Sequence, residues 1–227
     1  TFDGWLGRLI ERLQQKGLTD VVCCLDSRTN HRKQLTEQWE LGYKPRAEKD
    51  AELAGQLNLA PELLKARNIL CVSIDDMEAD DVMASYAVQF PGRVTLLTQD
   101  KDMRQCLSSK CNILKDVTWE ENTETGQSVP VYQWVSAKQH TEEGMTYGSS
   151  KVVGITPEQW PHFQCIAGDS TDGIRGVEGI GGKGAMDLII AHGSIDAVIA
   201  ACKDWTANLS AIKRLAVLNF EEIKDVT

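Results

Sequence analysis

Histidine, proline and aromatic residues are scarce in this chain: four His, six Pro and 6% Phe, Trp and Tyr in 227 residues. His31, His140, His162 and His192 stand apart among polar residues, so a histidine-based zinc centre has little to build on. No apolar run approaches the ~20 residues of a membrane-crossing helix. No internal repeat or low-complexity tract marks a solenoid or a fibre. The seven cysteines, Cys23, Cys24, Cys71, Cys106, Cys111, Cys165 and Cys202, are odd in number and form no CxxC pair. They read as buried thiols of a reducing, cytoplasmic compartment rather than as a disulfide framework or a zinc site. Basic residues are also in deficit, with a net charge of −9. Taken whole, that balance disfavours a nucleic-acid partner.

The distribution of charge changes this reading. Between Arg28 and Lys49 there are six bases, among them Arg28, Arg32, Lys44 and Arg46, against three acids. The glycines are uneven too. Residues 168–185, GDSTDGIRGVEGIGGKGA, hold seven of the 18, together with Asp169, Asp172 and Lys183. Glycine turns bind phosphate through bare backbone N–H groups, whereas carboxylates repel it. A segment that combines both implies a cation between acid and phosphate.

At 42% hydrophobic and 25% charged, the composition is that of a globular protein, long enough for one large domain or two small ones. The spacing of Trp5, Leu6, Leu9, Ile10 and Leu13 predicts a helix, with Gly17 as its C-cap. Short apolar runs at 21–25, 70–74 and 93–98 predict buried strands, and 112–114 a fourth. Helices are expected over 78–90 and around 101–108. Alternating strands and helices at this spacing mean an α/β fold with a parallel sheet flanked by helices. Residues 27–60 are polar and weakly periodic. Residues 116–150 form an insertion, with a hairpin turning at Thr125–Gly126 and a loop at TEEGMTYGSS. Beyond Pro157, helices are expected over 157–167, 182–192, 194–203 and 207–222. A boundary near 150 would divide an α/β half (1–150) from an all-helical half (151–227).

In an open parallel sheet, the functional crevice lies at the carboxyl ends of the strands. Asp26 follows the first visible strand, Glu78, Asp80 and Asp81 the second, and Asp100 and Asp102 the third. Each group alone reads as helix-capping or solvated acids. Together with Asp169 and Asp172 they are eight carboxylates at one edge, whose mutual repulsion calls for a cation. All-oxygen donors suit Mg²⁺ or Mn²⁺. Without those eight, 25 acids face 24 bases, so the cluster accounts for nearly all the net charge. Filled with metal, it no longer argues against nucleic acid.

The stretches VVCCLD, GYKPRAEKD, EADDVMA, TQDKDMRQCL and GITPEQWPHFQCIAGDSTDGIRGVEGIGGKGAMDLI, in this order over residues 2–200, resemble the 5′ nuclease (flap endonuclease) family, in particular its bacterial branch. The resemblance implies a PIN/resolvase-like core and a helical subdomain with a helix–three-turn–helix element. It implies a structure-specific 5′ nuclease of replication and repair, acting as a 5′–3′ exonuclease and flap endonuclease by a two-metal mechanism. Asp26, Glu78, Asp80, Asp81, Asp100, Asp102, Asp169 and Asp172 match the family's metal-site acids. Lys44 and Arg46 match basic residues of the helical arch (about 27–60) that meet the scissile phosphate, with Arg28 and Arg32 in the same basic stretch. Gly179, Gly181 and Lys183 fall in the element that grips the duplex backbone and often holds a potassium ion. The implied partner is DNA with 5′ ends, flaps or nicks, bound by a monomer without a membrane.

Some positions depart from the pattern. The family opens with a strand ending in a further metal-binding Asp; this sequence starts after it, and Asp3, in the first turn of an outer helix, does not replace it. The family's GDSSDNIPGV reads GDSTDGIRGV here, so that Gly173 loosens a turn and Arg175 adds positive charge near DNA. Two other classes fit parts of the sequence: a non-catalytic DNA-binding relative, and a metal-dependent phosphatase or phosphotransferase using an Asp nucleophile.

Overall fold

The computed structural model describes residues 2–18, 20–27, 29, 51–171, 174 and 176–201. Helix α1 (Phe2–Gln15) turns Leu13 inward and packs Ile10 against Leu64 and Ile69. It ends as the sequence predicts. Gly17 takes φ 78°, its N–H donates to Gln14 O, and Leu18 N–H donates to Leu13 O. Only glycine adopts that left-handed position at no steric cost.

Strand β1 (Val22–Cys24) pairs in parallel with β2 (Leu70–Val72), Cys23 opposite Cys71. Helix α2 (Ala51–Ala66) lies between them in sequence and buries Ala60 and Leu64. The weak periodicity of 27–60 hid it, and Pro61 inside the helix reads as a break. Helix α3 (Ala79–Gln89) follows β2. Strand β3 (Thr95–Leu97) pairs in parallel with β4 (Asn112–Glu121), after a 3₁₀ turn at Asp102–Cys106. The hairpin expected at Thr125–Gly126 is present. β4 runs antiparallel to β5 (Ser128–Val135), and Asn122 Oδ1 accepts the N–H groups of Glu124 and Thr125 at the turn. Among the described residues the parallel strands thus form two pairs rather than one continuous ladder, with an antiparallel edge added.

Helix α3 joins these pairs. Val82 packs among Cys24, Val72 and Ile74 on one side. Ala84 and Ala87 pack with Leu96, Met103 and Ile113 on the other. Small residues let the helix sit close to both, which brings its acidic N-terminus to the strand ends.

After α4 (Ala137–Glu142), TEEGMTYGSS departs from the loop expected of it. It contributes to a second hairpin, β6 (Met145–Tyr147) with β7 (Ser150–Val152), Met145 opposite Val152. Gly148, at φ 57°, makes the tight turn that a polar, glycine-containing segment conceals. The hairpin straddles residue 150 and packs Tyr147 and Val152 against α5 (Trp160–Ala167), α6 (Gly182–His192) and α7 (Ile195–Ala201). Trp160, Phe163, Ile166, Ile189 and Ile195 fill that core without solvent exposure. Tyr147 meets Trp160 and Phe163 edge-on, at ring separations of 5.7 and 5.0 Å. The helix expected over 207–222 lies outside the described residues.

Candidate metal and nucleic-acid site

The strand ends and the first turn of α3 bring the expected acids together. Asp26 Oδ1, just past β1, accepts the Ala79 N–H at 3.0 Å. Glu78 caps α3, and its side chain and that of Asp81 each accept the other's backbone N–H. These two acids therefore spend hydrogen-bonding capacity on the helix end as a reciprocal capping box. Asp81 is fully buried; Asp80, beside it, is only partly so. Burial, and then the charges of Asp100, Glu78, Asp26 and Asp81, push the Asp80 carboxyl up to about 7. Four acids from three segments of the chain thus act electrostatically on one carboxyl.

That shift has a measurable consequence. The unfolded carboxyl titrates near ~3.9. The folded metal-free protein holds the proton more tightly, so this contribution to stability is complete below pH ~4 and is lost as pH rises through 7. In chelator, thermal melting should show wild type losing more stability between pH 5 and 8 than Asp80→Asn. The difference should be on the order of 1–2 kcal/mol once screening is allowed for. Equal pH dependence would mean that Asp80 does not feel its neighbours.

A second cluster continues from the first. Asp100 Oδ1 accepts the Asp102 N–H at 2.8 Å. Gln164, buried on α5, donates from Nε2 to Asp102 Oδ1 and lies 3.5 Å from Asp169 Oδ2. Asp169 is 3% exposed and pairs with Lys101 Nζ at 2.7 Å. Its Oδ1 accepts the Thr171 N–H. Reciprocal backbone bonds between Asp169 and Ile174 close the base of the loop. The Tyr147 hydroxyl donates to Gly168 O at 2.6 Å and lies 3.4 Å from Asp169 Oδ2. Burial and the charges of Asp169 and Asp102 raise its pKa, so it remains a donor.

The structure thus adds Lys101, Gln164 and Tyr147 to the site. Lys101 stood in plain view between two acids, but its partner is far along the chain. Gln164 lies five residues before Asp169 with no sign that its helix faces Asp102. Asp172, Arg28, Arg32, Lys44, Arg46 and Arg175 lie outside the described residues.

The donors are hard oxygens, and their crowding fits a divalent cation. Among the described residues, however, no three His, Cys, Asp or Glu side chains are set close enough to hold a metal ion as they stand. Two of the acids cap a helix, and Asp169 is neutralised by Lys101. The nearby thiols offer no alternative. Burial pushes Cys24 and Cys106 up to about 12, with the Asp80 charge adding to both.

The glycine segment sorts into two kinds. Gly176 has φ 67°, and a Cβ there would run into the backbone of Ile166, Ala167 and Gly168. Gly182 and Gly184 meet Ser150 and Ile180 closely. These three serve packing. Gly179 and Gly181 face open space, Gly181 as the N-cap of α6, with Lys183 exposed in the next turn.

The 5′–3′ exonuclease N-terminal resolvase-like domain matches residues 2–138, and the 5′–3′ exonuclease C-terminal SAM fold matches residues 155–221. The chain is 28% identical to DNA polymerase I of Mycobacterium bovis over 223 residues, covering 93% of this chain and 22% of that protein. It is 30% identical to the thermostable DNA polymerase I of Thermus thermophilus over 196 residues, 85% of this chain and 20% of that one. The chain spans about a fifth of the length of these polymerases. Its fold is similar to that of T5 5′-exonuclease with divalent metal ions (zinc) bound. The TM-score is 0.62 at 21% identity, over 94% of this chain and 76% of that one. A bacteriophage T5 flap endonuclease in a pseudo-enzyme–product complex with DNA and metal ions gives a TM-score of 0.64 at 20% identity, over 96% of this chain and 80% of that one.

Proposed function

The chain belongs to the 5′–3′ exonuclease family, and from that membership we propose that it hydrolyses DNA phosphodiester bonds as a structure-specific 5′ nuclease in replication and repair. The observation that carries this reading is the convergence of Asp26, Glu78, Asp80, Asp81 and Asp100 on one edge, joined through Asp102 and Gln164 to Asp169. When bound, two divalent ions, Mg²⁺ by preference and Mn²⁺ as substitute, supply an acidified water and positive charge for the phosphate. Asp80, Asp81, Asp100 and Asp102 would hold the first, and Asp169 and Asp172 the second, with Asp26 and Glu78 as further acids of the same edge. Asp81 and Glu78 contribute from a rigid helix end, and Gln164 orients Asp102. Lys101 holds the Asp169 carboxylate in place. Lys44 and Arg46 meet the scissile phosphate, with Arg28, Arg32 and Arg175 as further backbone contacts.

Gly179 and Gly181, with Lys183, grip the duplex backbone through N–H groups and charge, and a potassium ion suits the same turn. Such contacts read shape and ends rather than bases. We place the α/β nuclease part at 1–150 and the helical DNA-binding part at 151–227, with the hairpin β6–β7 as the joint. We infer a monomer acting in a reducing cytoplasm.

The two kinds of glycine give a contrasting pair of variants. Gly176→Ala should cost about 2 kcal/mol or more, because a left-handed backbone and a backbone clash coincide. Gly181→Val should melt within a few degrees of wild type yet bind duplex more weakly, whatever its sequence. Unchanged binding by Gly181→Val, or a loss confined to particular sequences, contradicts the clamp.

One observation favours a second reading, a non-catalytic DNA-binding relative: Asp169 is already neutralised by Lys101. Digestion of 5′-labelled flap, nicked and single-stranded DNA, with and without Mg²⁺, decides between them. The nuclease gives Mg²⁺-dependent 5′ products; the binding relative shifts the DNA without cutting it. Phosphate released from a small ester, with DNA intact, would point instead to a phosphatase.

A further inference from the structure

A cavity of about 340 Å³ opens beside the acidic edge, lined by Asp100, Lys101, Arg104, Lys115, Val135 and Met145 among others. Such a volume is at the small end of ligand sites, ~300–1,000 Å³. Its charge is opposite to that of the edge it adjoins: three cations against one carboxylate.

Arg104 is the unusual member. It comes from the 3₁₀ turn that follows Asp102, and it is half-buried. Among the described residues its hydrogen-bond partner is His140, with Nη1 donating to Nδ1 at 3.0 Å. An imidazole accepting at Nδ1 is neutral. Burial, and then the Arg104 charge, hold His140 down to about 4, so it stays neutral at working pH. His140 is itself wedged edge-on against Trp160, 5.1 Å away. The guanidinium is thus fixed in direction by an acceptor that leaves its charge uncancelled. Lys115, on β4, is exposed, and its side chain makes no hydrogen bond or ion pair among the described residues. Lys101 is held by Asp169. A desolvated, oriented fork with a second free cation across a cavity is a receptor for an oxyanion. Ile113, Val135 and Met145 offer the apolar wall that a base or sugar would cover.

We propose that this cavity is a phosphate subsite for one nucleotide of the strand that passes the acidic edge, with Arg104 and Lys115 contacting the phosphate. The inference rests on the nuclease reading for the identity of the strand. The site itself stands on Arg104, His140 and the cavity.

The test is binding of a fluorescein-labelled single-stranded oligonucleotide to the full chain in chelator, across a salt series, with dAMP and inorganic phosphate as competitors. Arg104→Ala should weaken binding by about tenfold, as the loss of a charged hydrogen-bonding group predicts. The slope of log affinity against log salt should fall by about 0.7. Arg104→Lys should recover part of the affinity. Lys115→Ala, at an exposed position, should shift binding the same way by a smaller factor and leave melting unchanged. It keeps the test valid if Arg104→Ala loosens the His140 contact and lowers the melting temperature. The competitors should displace the oligonucleotide from wild type and less well from Arg104→Ala.

Wild-type affinity and slope in both alanine variants overturn the subsite. So does the absence of displaceable binding by wild type. Arg104-dependent dAMP binding that the oligonucleotide does not displace would make this a free-nucleotide site and overturn the strand assignment. A wild type that binds through Arg104 but never cuts DNA refutes the nuclease reading and leaves the subsite standing. One that cuts DNA with Arg104-independent binding refutes the subsite alone.

Discussion

Asp100→Asn is expected to abolish detectable Mg²⁺-supported cleavage while leaving DNA binding within a few-fold of wild type. Asp100 stands where the two clusters meet. Its charge is the first of the neighbouring charges acting on Asp80, and its Oδ1 receives the Asp102 N–H. An amide keeps the size and an acceptor oxygen but loses the charge that would hold a cation. A group that serves the transition state more than the ground state changes rate without changing affinity. Binding should tighten slightly, because a charge that repels phosphate is gone. Single-turnover digestion with saturating enzyme, beside a binding titration, separates the two. More than a tenth of the wild-type rate in Mg²⁺ contradicts the role given to Asp100.

Lys44→Ala is expected to lower single-turnover cleavage by about 10²-fold, the scale seen when one preorganised electrostatic donor is lost. Lys44 lies outside the described residues, so its position in sequence carries the expectation. It belongs to the basic stretch between Arg28 and Lys49 in an otherwise acidic chain, between segments that deliver Asp26 and Asp80. Affinity should change little, because one phosphate contact among several amounts to about one unit of salt slope. Lys44→Arg should rescue in part, since charge returns but a planar fork does not replace a point charge. Arg46→Ala should weigh more on binding. Weakened binding with an intact bound-state rate would make Lys44 a steering residue. The catalytic charge would then have to come from Arg28, Arg32 or the metals.

The parts of the site legible in the sequence are those where local rules decide. Asp26, Asp80 and Asp100 each follow a short apolar run, and the carboxyl ends of parallel strands share one edge. The Thr125–Gly126 hairpin and the Gly17 cap are likewise local turn chemistry. Helix α2 was hidden because Pro61 interrupts its pattern, and β6–β7 because a two-residue turn at Gly148 reads as loop. Gln164 and Tyr147 reach the acids only through packing around Trp160 and Phe163, which no spacing in the sequence encodes. Glu78 and Asp81 were recognisable as acids on one helix face. The glycines of 168–185 look alike in sequence. Only their surroundings separate Gly176, which packs, from Gly181, which faces open space.

Whether carboxylates from separated segments act as one cation site is decided by calorimetric titration of Mn²⁺ into the full chain near pH 7. The acids gathered around Asp80 predict saturable Mn²⁺ binding accompanied by proton release, seen as a heat that depends on the buffer, because Asp80 is partly protonated there. Asp80→Asn should bind more weakly and release fewer protons. Absence of saturable binding by wild type, or equal affinity and proton release in Asp80→Asn, would contradict the account.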